Sequence, residues 1–134
     1  MVANLAKYAN EGLLILRVGF GIMFLFYGLP KLLAGPQKWQ EMGQAMNYLH
    51  ISFWPVFWGF CAVFVQSFGG LCLILGLFFR PVCLLLFVVM AVAANMHLQK
   101  GDGLFGAAHA LEDGLVFLAL FAIGPGKYSL DKFF

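Results

Sequence analysis

Apolar residues fall into four long runs separated by short polar stretches. The last run governs the reading. Residues 104–126 read LFGAAHALEDGLVFLALFAIGPG, with Glu112 and Asp113 inside an otherwise apolar stretch. Only ten uncharged residues, 114–123, separate these acids from the Gly124-Pro125-Gly126 that ends the helix. A spanning helix needs about 20 residues at ~1.5 Å rise each, so those residues alone cannot cross a bilayer. A span here must begin near Leu104, which places both carboxylates below the membrane surface. Carboxylates in hydrocarbon are costly, so they should face the bundle interior or a wet cavity and find partners there.

The other runs predict three more spans, over 11–33, 54–79 and 81–99, with the last over 104–123. Gly12, Gly19, Gly21 and Gly28 in the first span, and Gly69 and Gly70 in the second, suit close helix approach. Arg17 lies about a turn and a half inside the first span. It either snorkels to the near headgroups or acts as an internal cation for a carboxylate or anionic ligand. Gln66 falls near mid-membrane, where a glutamine either hydrogen-bonds a neighbouring helix or lines a polar pocket. Arg80-Pro81 reads as a tight turn, and Gly101-Asp102-Gly103 as another.

Between the first two spans, Trp39, Met42, Met46 and Leu49 recur at helical spacing, with Lys38, Glu41, Gln44 and Asn47 on other faces. This predicts a short amphipathic helix on the membrane surface. Met42, Met46 and His50 share one stripe, a weak candidate for a soft metal such as Cu(I).

Composition fits this pattern. The chain has 134 residues, 63% hydrophobic and only 10% charged, with a mean hydropathy of +0.91. Soluble domains are about a quarter charged, so this is the membrane class, all-α and one domain over 1–134. Four spans leave no room for a soluble catalytic domain. A net charge of +2 without a basic run excludes nucleic acid as a partner. Neither GxxxxGK nor GxGxxG occurs.

Lys7, Glu11 and Arg17 break up the N-terminal stretch, and no small-x-small cleavage site follows, so the first span is expected to be retained. Cys61, Cys72 and Cys83 include no CxxC and read as small packing residues, with a Cys72–Cys83 pair as the redox alternative. Lys7, Arg17, Arg80, Lys127 and Lys132 on one side outnumber Lys31, Lys38 and Lys100 on the other, which favours cytoplasmic termini.

Alternating spans sort the polar residues by depth. Tyr27, Lys31, Asn95, His97, His109, Glu112 and Asp113 fall in the outer half, Gln66 near the centre and Arg17 towards the inside. His109 stands at i, i+3 to Glu112 and at i, i+4 to Asp113, so its imidazole shares a face with either acid. Three readings stay open. These groups line a redox or proton-relay pocket that takes a quinone head. They satisfy one another and hold the helices together. Or His109 and Glu112 bind a metal, although the other spans supply no further acids at depth. Glu112 and Asp113 are about 100° apart around the helix, so one of them is expected to point inward. No catalytic residue is assigned, and without CxxCH no covalently bound cofactor is expected.

FLFYGLPKLLAG closing the first span, QSFGGLCLILGLFFRP through the second span and its turn, and GPGKYSLD after the fourth resemble the DoxX family. The family often carries a glutamate where this chain has Gln66. The resemblance implies a four-helix bundle in the bacterial inner membrane. It also implies a subunit or accessory protein of a quinone-linked oxidoreductase, with a protein partner and room for oligomers. Distant relatives that are membrane-protein assembly factors make a non-catalytic scaffold the alternative, with metal handling third. Carried over by position, it points to Arg17, Lys31, Gln66, Gly69, Gly70 and Arg80.

Overall fold

The computed structural model describes residues 8–126. Five α-helices run in order: α1 Ala9–Ala34, α2 Pro36–Gly43, α3 Pro55–Leu75, α4 Phe79–Gln99 and α5 Gly103–Ile123. A 3-10 stretch, Gln44–Leu49, follows α2. All helices except α2 are long and apolar enough to cross a membrane. The expected all-α, antiparallel four-helix membrane bundle is therefore what the chain forms, with no strand among the described residues. Lys7, and the tail with Lys127 and Lys132, lie outside the described residues.

One turn differs from the sequence expectation, while the expected turn at 101–103 is present. The second span stops at Leu75 instead of continuing to residue 79, because Gly76 takes a left-handed conformation (φ 69°). Gly76 N–H then donates to the Leu73 carbonyl and Leu77 N–H to that of Cys72, a Schellman closure. The turn is thus 76–78, and Arg80-Pro81 lies in the first turn of α4, where proline costs no internal hydrogen bond. Gly101 (φ 89°) closes α4 in the same way, with its N–H on the Leu98 carbonyl and that of Asp102 on the His97 carbonyl.

The four spans form a ring, α1–α3–α4–α5, whose interfaces are unequal. The pairs α1/α3 and α4/α5 carry most of the contact between spans. Glycine explains the first pair. A Cβ on Gly21 would stand 2.5 Å from the Gly70 carbonyl oxygen, and one on Gly70 would stand 2.6 Å from that of Gly21. Gly28 is as tightly held against Ser67 and Gln66. The helices approach this closely because these positions carry no side chain. Gly69 faces Val82 and Leu86 of α4. Phe24, Leu73, Phe79, Leu86, Phe117 and Leu120 fill the centre.

Gly19 departs from its expected packing role. Among the described residues, no neighbouring helix lies within 4 Å of where its Cβ would be. Gly21, two residues on, makes the approach instead, because the buried seam of α1 runs Arg17, Gly21, Phe24, Gly28.

The short outer helix is present as α2, and it is fastened to α3. Trp39 Nε1 donates to the Leu32 carbonyl at 3.2 Å, and its ring meets Phe60 edge-on at 4.9 Å. A Cβ on Gly59 would overlap the Trp39 carbonyl, and one on Gly43 that of Pro55. Lys38 pairs with Glu41 on the outer face at 3.3 Å.

Candidate functional site

α1 and α5 meet differently from the close pairs. Their contact runs through aromatic rings: Phe20 and Phe24 against Phe117, with centroids 5.9 and 5.0 Å apart, and Tyr27 against His109 at 5.6 Å. Rings hold the backbones apart and leave a groove of about 430 Å³ on the outward side. Its α1 wall is formed by Ile15, Leu16, Gly19, Phe20, Met23, Phe24 and Tyr27, and its α5 wall by His109 and Asp113. Ile15, Leu16, Gly19 and Met23 are exposed, so the groove opens sideways, towards lipid in a membrane.

The polar end lies beside Tyr27. His109 Nε2 stands 3.2 Å from Asp113 Oδ2, one helical turn away. The histidine side chain is 63% exposed and the aspartate only 13%, so Asp113 is the sheltered member. Glu112 is exposed and lines no part of the groove. The α5 helix starts at Gly103, so both acids lie in its interior, with Asp113 alone turned to the groove. Chemically, this end offers a carboxyl group, an imidazole and a phenol beside aromatic walls. The rest of the groove is hydrocarbon.

The other sequence candidates lie elsewhere. Arg17 is 1% exposed, at the end of the bundle where α3 and α5 finish. Its Nε donates to the Leu73 carbonyl at 3.1 Å, Nη2 to Ile74 at 3.1 Å and Nη1 to Pro125 at 3.0 Å, and its guanidinium stands 5.9 Å from the Phe79 ring centre. It therefore does not snorkel. It caps the C-terminal carbonyls of α3, where the helix dipole favours a cation. Arg80 does the same for α5, with Nε donating to the Phe121 carbonyl at 3.1 Å.

Gln66 is 6% exposed and packs beside Gly28, and its Oε1 has no hydrogen-bond partner among the described residues. Lys31 is half-buried near the outer end of α1. Asn95 joins the end of α4 to the outer loop. Its Nδ2 donates to the Tyr48 carbonyl at 3.5 Å, and its Oδ1 accepts from Gln99 at 2.9 Å. His97 pairs with Asp102 at 2.8 Å across the Gly101 turn, and this contact holds the Asp102 carboxyl below the usual carboxylate range.

No group of three His, Cys, Asp or Glu side chains among the described residues is placed to share a metal ion. Met42 in α2 and Met46 in the 3-10 stretch are half-buried, and His50 follows that stretch with φ 63°. No disulfide joins the three cysteines among the described residues, and Cys72 and Cys83 lie within the central cluster.

Sequence reasoning did not anticipate the groove's α1 wall. Leu16, Phe20, Met23 and Tyr27 recur at i, i+4, i+7 and i+11, a helical stripe beside the glycine seam. That spacing was visible in the chain. The Asp102 partner of His97 was hidden by the glycine turn between them.

Four spanning helices, two arginine-capped helix ends and one sideways-opening groove define a small multi-pass membrane protein in contact with the bilayer. The DoxX family model matches residues 12–99, and the chain belongs to that family. The matched stretch covers α1 to α4 and ends before His109 and Asp113. Neither a curated protein nor a solved structure matches the chain.

Proposed function

We propose that this DoxX protein is a small subunit or accessory protein of a quinone-linked redox system in the bacterial inner membrane, with both termini in the cytoplasm. The observation that carries the reading is the sheltered Asp113, paired with His109 beside Tyr27, at one end of a groove that opens to the bilayer. A quinone head needs hydrogen-bonding groups near its two oxygens and flat apolar walls. Asp113, His109 and Tyr27 supply the first, and Phe20 and Phe24 the second. When bound, such a head supplies two-electron, two-proton chemistry. The chain's own part is to orient the head, exclude bulk water and hold a proton at the Asp113 carboxyl or the His109 ring. The electron donor or acceptor is a protein partner.

The test is a titration of purified protein in detergent with a soluble benzoquinone and its quinol, following intrinsic fluorescence. Saturable binding is expected, weakened by Asp113→Asn. Binding to neither form removes the reading.

A scaffold or assembly role is the second reading. It is favoured by Arg17 and Arg80, whose contacts hold helix ends instead of facing the groove. It predicts co-purification with a partner that survives Asp113→Asn.

A further inference from the structure

The glycines of α1 divide into two kinds. Gly21 and Gly28 are pressed against α3. Gly12 and Gly19 are exposed and have nothing among the described residues of other helices within 4 Å of the missing side chain, and of the two Gly19 lines the groove. Among the described residues, Gly19 therefore packs against no other helix. Its place along the groove is informative. Polar groups occur only at the Tyr27 end. From Tyr27 to Gly19 is eight residues, about 12 Å along the axis, and Ile15 lies one turn further. Over that distance Phe20, Met23, Leu16 and Ile15 offer hydrocarbon alone. A groove with one hydrogen-bonding end, a long apolar run and an open side matches an amphiphile, with its head at Asp113 and its chain laid along α1.

We propose that Gly19 determines ligand specificity: its missing side chain makes the channel for the hydrocarbon or prenyl tail of a lipid-phase quinone, whose head rests at Asp113 and His109. This deepens the function proposed above and rests on it. The ligand enters sideways from the bilayer, and the tail contributes by apolar contact along the α1 wall. A side chain at position 19 fills the channel about two turns along α1 from Tyr27. The glycine's surroundings are open, so a larger residue there leaves the α1/α3 seam intact.

The test uses two probes with one head, a tail-less benzoquinol and the same quinol carrying a decyl chain. Both are titrated into detergent-solubilised wild type, Gly19→Leu and Gly19→Ala. In wild type the decyl probe is expected to bind at least about tenfold more tightly, the scale of a few buried methylenes. Gly19→Leu should erase most of that advantage, Gly19→Ala a smaller part, and neither should change affinity for the tail-less probe. Unchanged tail-less binding also shows that the variants are folded. If wild type binds both probes equally, or if Gly19→Leu keeps the full preference for the decyl probe, the tail channel is refuted while the head site stands. The tail channel is equally refuted if Gly19→Leu instead changes the oligomeric state, which would make the groove a seat for a second copy. If neither probe binds wild type, the head site falls and the tail channel with it.

Discussion

Asp113 and His109 form a lopsided pair: their polar atoms are 3.2 Å apart, yet the acid is sheltered and the imidazole stands largely open. Glu112, the next residue along, faces away from the groove. The two adjacent acids should therefore respond differently. Asp113→Asn is expected to weaken binding of a quinol probe by about tenfold, the scale of one charge-assisted hydrogen bond. Glu112→Gln should leave it unchanged. Parallel titrations of the two variants decide this, and equal effects would remove the assignment of Asp113 to the site.

Arg17 ties α1 to the ends of two other segments through the Leu73, Ile74 and Pro125 carbonyls. Arg17→Leu keeps an apolar stem but removes the donor to Ile74 and Pro125, while Leu73 keeps its bond from Gly76 N–H. Leaving two part-buried acceptors unpaired costs roughly 1–3 kcal/mol each, so a loss of about 2 kcal/mol or more is expected. Thermal unfolding in detergent should show a markedly lowered Tm, with Arg17→Lys falling between. Wild-type stability in Arg17→Leu would mean that the cap contributes little.

Gly21 and Gly70 present backbone to backbone. Gly21→Val must push α1 and α3 apart and should cost roughly 1–3 kcal/mol, as overpacking does. Gly19→Val, on the same helix, should be nearly neutral. Unfolding midpoints of the two variants, measured side by side, test whether the seam lies where the glycines place it.

The His97–Asp102 contact closes the outer turn, and its hydrogen bond holds the Asp102 carboxyl low. A carboxyl with a lowered folded-state value stabilises the fold above its ordinary titration range. The contribution disappears as pH falls through the lowered value. Asp102 is exposed, so the effect is small and weakened by salt. Asp102→Asn should flatten the acid limb of the Tm–pH curve at low ionic strength. An unaltered limb would show that the contact is not maintained in solution.

How much of this was legible in the chain differs from residue to residue. The four spans were, because long apolar runs leave few alternatives in a membrane. The place of Glu112 and Asp113 inside the last long helix followed from simple length, and the 100° step between them required one to turn away. Which one did so depended on the neighbouring helix, and periodicity does not name neighbours. Gly19 and Gly21 look equivalent in sequence and differ only in what faces them. Arg17 was found, but its acceptors were not. Backbone carbonyls are present at every residue and become special only where a helix ends. The end of α3 was missed because Gly76 stops it inside a continuous apolar run, where composition gives no warning. The groove itself arises from ring-to-ring contact between α1 and α5, a relation between the first and last spans that no local window contains.

The acceptors of Arg17 also order events during synthesis. The α4/α5 pair is made of consecutive helices and can leave the ribosome as a ready hairpin. The partner of α1 is instead α3, which emerges only after the intervening outer loop. The Pro125 carbonyl lies 108 residues downstream of the arginine it receives. The first helix thus enters the insertion machinery carrying a charge whose Pro125 acceptor has yet to be translated. Until then, water or the translocon must shelter that guanidinium.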